Sequence, residues 1–81
     1  MKCHITTNRF EKLLGWSLFY GVRVRFSGKE GHILTIISGS GRQITLPSVH
    51  NFNHWNDYMN LAVRTMHLLS ENREESENAK Q

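Results

Sequence analysis

The chain has 81 residues, 38% of them hydrophobic, with ten Lys/Arg against seven Asp/Glu and a single cysteine. That length allows one domain with a small core and leaves little room for a large concave active site. One thiol excludes an intramolecular disulfide, and no apolar run approaches the roughly 20 residues that span a bilayer. No N-terminal stretch has the basic, apolar, small-residue order of a signal peptide, so the chain reads as soluble and cytoplasmic.

Charge is unevenly placed. Residues 1–50 carry seven Lys/Arg against Glu11 and Glu30, whereas residues 51–81 carry three against five Asp/Glu. A basic body with an acidic end favours an anionic partner over the first half, although the same balance also serves solubility.

In chain order, Thr7 or Asn8 is placed to cap a helix, and Asn8 with Glu11 resembles a capping box. Phe10, Leu13 and Leu14 share a helical stripe, and Gly15 is expected to end this short helix. From Trp16 to Phe26, the apolar Trp16, Leu18, Tyr20, Val22, Val24 and Phe26 alternate with Ser17, Phe19, Gly21, Arg23 and Arg25. Alternation is the mark of a half-buried strand, and here its outer face carries two arginines. A competing reading carries the helix on to Tyr20 and stops it at Gly21. The unbroken alternation favours the strand.

Ser27–Gly31 is a turn, His32–Ser38 an isoleucine-rich central strand, Gly39–Gly41 a second turn and Arg42–Leu46 a third strand. Pro47 closes that strand. Phe52, Trp55, Met59, Ala62, Met66 and Leu69 then follow the spacing of an amphipathic helix from Phe52 to about Leu69. The expected fold is α+β: a short N-terminal helix at an edge, a three-stranded antiparallel meander and a long C-terminal helix packed on one sheet face. Residues 1–70 form the domain, and the acidic polar tail 71–81 is expected to fray or stay disordered.

This α-β-β-β-α order is also that of the double-stranded-RNA-binding domain. In that family the second helix opens with lysines that grip phosphates. The corresponding stretch here, Ser48–His54, has no lysine, which argues against that mode of binding.

Chemistry-bearing groups are sparse. His50, His54 and Asp57 would share a helix face and could offer metal ligands, but no cysteine pair or metalloprotease pattern accompanies them, and exposed helix polarity accounts for them. No serine lies in a nucleophile-elbow pattern. Cys3 is expected in a mobile terminus. No catalytic residue, metal or cofactor is therefore expected.

The candidate site is the basic sheet face. Arg23 and Arg25 point the same way, Lys29 lies in the adjoining hairpin, and Arg42 opens the third strand. Arginine forks match phosphate and carboxylate geometry. Phe19 falls on the same face as a stacking surface, and Tyr58 with its neighbouring asparagines supplies secondary contacts. These features point to a non-enzymatic binding protein that docks on an acidic macromolecular surface and blocks or adapts it. A phage- or mobile-element-type inhibitor of a host nucleic-acid machine would suit the size. The alternative is a nucleic-acid-binding domain using the same face. No membrane partner is expected, and the spacing of the long helix also permits a homodimer seam.

Overall fold

The computed structural model describes residues 3–79, with side chains through Ser70. Its elements are α1 (Thr7–Tyr20), β1 (Arg23–Ser27), a 3-10 turn at Lys29–Gly31, β2 (Ile33–Ile37), β3 (Gln43–Thr45), a second 3-10 turn at Val49–Asn51, and α2 (Trp55–Ala79). The three strands form one antiparallel sheet in the order β1-β2-β3. The α+β meander between two helices is thus the fold the sequence implies, with two corrections to the bounds of the first helix.

First, α1 does not end at Gly15. It runs to Tyr20, so Trp16 to Tyr20 are helical and β1 begins only at Arg23. The stop is Gly21, which adopts φ 70° and ψ 31°. Its N–H donates to Leu18 O, and the Val22 N–H reaches back to Ser17 O at 3.0 Å. That pair of bonds is a Schellman ending, which needs a residue comfortable in the left-handed region. Gly15 has no positive φ and sits mid-helix. Second, the N-cap is Thr6, one position earlier than expected: its hydroxyl accepts the Arg9 N–H at 3.3 Å. The favoured alternation failed because it equates apolar with buried. Trp16, Leu18 and Phe19 are exposed, while Leu13 and Ser17 turn inward.

The sheet's inner face is set by register. Val24 opposes Ile36, which opposes Ile44, and Phe26 opposes Leu34. Leu34 and Ile36 are fully buried against Leu13 of α1 and Tyr58, Ala62 and Met66 of α2. The helices run in the same direction, since Arg9 stacks over the Trp55 ring at 4.6 Å near their starts and Tyr20 meets His67 a few turns on. Phe10 leans on Phe26 with ring centroids 4.7 Å apart, tying α1 to β1.

The segment before α2 is anchored at both ends. The Val49 N–H donates to His32 O, and the Cys3 N–H donates to Phe52 O. Cys3 is buried in the core cluster rather than carried on a mobile terminus. Phe52 lies outside α2, which starts three residues later than its hydrophobic stripe suggests. The acidic tail expected over 71–81 falls on residues outside those whose side chains are described. Among the described residues, no helix is long and apolar enough to cross a membrane.

The two helix glycines make opposite predictions. Nothing lies within 4 Å of a Cβ built on Gly15, so Gly15→Ala should stabilise the dilute protein by about 0.5–1 kcal/mol. Gly21→Ala should destabilise it by about 1 kcal/mol, because an L-residue is strained in the left-handed region. Chemical denaturation of the two variants checks both signs.

Candidate interaction surface

No described element packs on the second face of the sheet. Its rows follow from the same register. Arg23, Ile37 and Gln43 form one row, Arg25, Thr35 and Thr45 the next, and Ser27 and Ile33 the third. Side chains along β1 alternate, with Arg23, Arg25 and Ser27 exposed and Val24 and Phe26 half-buried. The face therefore has a cationic edge on β1, a mixed centre on β2 and a polar edge on β3. At its middle, Thr35 is only 3% exposed, and its hydroxyl is hydrogen-bonded to that of Thr45 at 3.0 Å. This bond holds the two strands together across the open side. Ile33 and Ile37 flank Thr35 and are half-buried.

The guanidinium groups of Arg23 and Arg25 have no ion-pair or hydrogen-bond partner among the described residues. Arg9 is the contrast: it is used within the fold, stacked on Trp55 and donating to His4 O at 3.1 Å. Two unpaired guanidinium groups at alternate positions of one strand lie roughly 7 Å apart along it. That spacing can engage two separate carboxylates or phosphates.

The structure redistributes the other expected contacts. Lys29 is exposed in the β1–β2 turn. Arg42 is exposed too, but it precedes β3 and has the parity of Ile44, so Gln43 takes the place beside the arginine row. Arg42 thus marks the end of the sheet, held there by bonds between its backbone and Ser38. Phe19 is not on the sheet. It lies in the last turn of α1, 75% exposed, in edge contact with Trp16 and Tyr20. Tyr58 is not at the surface either. It is fully buried between the Phe52 and Trp55 rings, so it presents nothing to a partner.

The histidines separate as well. His50 lies in the 3-10 turn and His54 precedes α2, so no helix aligns them with Asp57. His50 stacks on His32 with ring centroids 4.9 Å apart, and Ser48 Oγ lies 2.9 Å from His32 Nδ1 while accepting the His50 N–H. This cluster fastens the loop after β3 to the start of β2. Sequence reading missed it because His32 and His50 lie far apart in the chain. Among the described residues, no group of three His, Cys, Asp or Glu is placed to hold a metal.

Comparison of the chain with protein-family models, with curated proteins and with solved structures finds no match. Function must therefore be read from the surfaces themselves.

One buried group has a measurable consequence. The Tyr58 hydroxyl has no hydrogen-bond partner among the described residues, and burial pushes its pKa up to about 12 from the ordinary value of 10. A buried unpaired hydroxyl is costly, so Tyr58→Phe should stabilise the fold by about 1 kcal/mol. As pH rises from about 10 to about 12, the unfolded chain releases this proton before the folded one. Stability should fall across that window, and less steeply in the variant. Denaturation at neutral and alkaline pH tests both effects.

Proposed function

We propose that this protein is a non-enzymatic docking module that binds an acidic protein surface through the open face of its sheet. The observation that carries this reading is the pair Arg23 and Arg25, exposed and without ion-pair partners among the described residues, beside the half-buried Ile33 and Ile37. Cations at the edge of an apolar patch are a common composition for protein interfaces, where arginine is enriched and the centre excludes water. A backbone-paired sheet presents these groups rigidly, so little conformational entropy is lost on binding.

The nucleic-acid alternative has less support. Binding of single strands relies on aromatic platforms for the bases, and neither Phe19 nor Tyr58 stands on this face. Contact would then be limited to phosphates, through Arg23, Arg25, Lys29 and Arg42. Such binding should weaken steeply with salt as counterions are released.

The test is capture of cytoplasmic proteins on the immobilised wild-type chain and on an Arg23→Glu/Arg25→Glu variant, alongside titration of DNA and RNA at two salt concentrations. Both positions are exposed, so the variant should fold as the wild type does. The reading predicts a stoichiometric protein partner that the variant loses by at least about tenfold in affinity, consistent with ~1.4 kcal/mol per decade. Undiminished capture by the folded variant would contradict the site. Tight nucleic-acid binding that collapses at higher salt would replace the protein reading with the alternative.

A further inference from the structure

The long hydrophobic stripe of α2, which from sequence permits a dimer seam, is spent mostly inside the protomer: Ala62, Met66 and Leu69 are essentially fully buried, as is Tyr58 beside them, while Trp55 and Met59 are half-buried. Leu68 of α2 is half-exposed, but the larger exposed apolar cluster lies on α1. Leu18 is 81% exposed, Phe19 75% and Trp16 38%. Gly15 is exposed among them, with nothing within 4 Å of where its Cβ would be. At about 100° per residue, Gly15 points directly away from the buried Leu13 and Ser17. Phe19 lies beside it one turn on. Leu18 and Glu11 flank this centre on one side, and Trp16 and Lys12 on the other, all exposed.

We infer that α1 pairs with α1 of a second copy of this chain, the two helices parallel about a two-fold axis that passes near Gly15 and Phe19. Three observations select a second copy. The first is area. With an aromatic side chain offering about 150–250 Å², Trp16, Leu18 and Phe19 together expose roughly 400 Å² of apolar surface. One side of a standard interface buries about 800 Å², of which somewhat more than half is apolar. The second is charge. Glu11 and Lys12 lie on opposite flanks at the same height of the helix. A two-fold axis parallel to the helices brings Glu11 of each copy beside the other copy's Lys12, forming two opposite-charge pairs and no like-charge one. The third is Gly15. A mid-helix glycine costs stability and no contact among the described residues requires it, whereas at a helix crossing it allows the two backbones to approach closely. The pairing places the helices inside and the two basic sheet faces outside.

The test is sedimentation equilibrium from low to high micromolar protein at low salt, with circular dichroism to confirm folding. The wild type should approach twice its 9.4 kDa mass. Phe19→Asp should weaken association by at least about a hundredfold, in line with loss of a central anchor. Glu11→Lys or Lys12→Glu alone should weaken it about three- to tenfold, the scale of exposed charge pairs. The double swap Glu11→Lys/Lys12→Glu should restore wild-type affinity, which a merely structural role for either residue would not produce. A wild type that stays monomeric at high micromolar concentration would overturn the inference, as would association indifferent to Phe19→Asp. A double swap that fails to restore pairing would overturn the parallel arrangement. A monomer whose α1 tryptophan fluorescence instead responds to anionic phospholipid vesicles would overturn it in favour of a lipid surface.

Discussion

Burial of a single face of the sheet is the constraint on which the rest of the molecule depends. An 81-residue chain buries only about 60% of the surface its unfolded form exposes, which suffices for one apolar layer. That layer is Leu34 and Ile36 from the central strand, met by Leu13 from α1 and by Tyr58, Ala62 and Met66 from α2. Both helices are committed to this face, so the opposite face has to be stable without cover. It achieves this with groups that water tolerates at the edges and a paired polar centre: arginines on β1, and the Thr35–Thr45 hydroxyl pair between β2 and β3.

The same constraint explains where surface apolar groups survive. With its inward side spent on the core, α1 has an outward side that no described element covers, and it is there that Trp16, Leu18 and Phe19 stand exposed. The chain around the core is held by short polar ties rather than by further packing. Thr6 caps α1, and Ser48 joins the backbone of His50 to the ring of His32. Backbone bonds from Cys3 to Phe52 and from Val49 to His32 close the perimeter. The molecule thus offers two distinct outer surfaces, a cationic sheet face and an apolar helix face, separated by one shared core.

Much of this was legible in the residues. The glycine-containing turns, the isoleucine-rich central strand and the 3-4 spacing of α2 are strong local signals; the turns and β2 lie within a few residues of their expected places, while α2 starts three residues later and ends at Ala79 rather than near Leu69. The outward direction of Arg23 and Arg25 was legible because alternation holds over the true strand. Trp16 to Tyr20 was not, because the sequence offers two periods there and the deciding feature is the left-handed backbone at Gly21, stabilised by bonds to Ser17 and Leu18. Misplacing those residues moved Phe19 onto the wrong surface. Tyr58 departs from expectation for a different reason: a polar tip suggests exposure, yet burial of the ring outweighs a hydroxyl left unpaired among the described residues. The His32–His50 stack depends on tertiary closure and has no local signature.

The helix patch rests on α1 continuing through Gly15 to Tyr20, because a strand over those residues would turn Phe19 into the sheet face and dissolve that patch. Backbone NMR assignment of the intact chain tests this most directly. Helical Cα shifts unbroken from Thr7 to Tyr20, a reversal at Gly21 and extended values from Arg23 to Ser27 are the expected result. Extended shifts across Trp16–Tyr20, with cross-strand contacts from those residues, would contradict it.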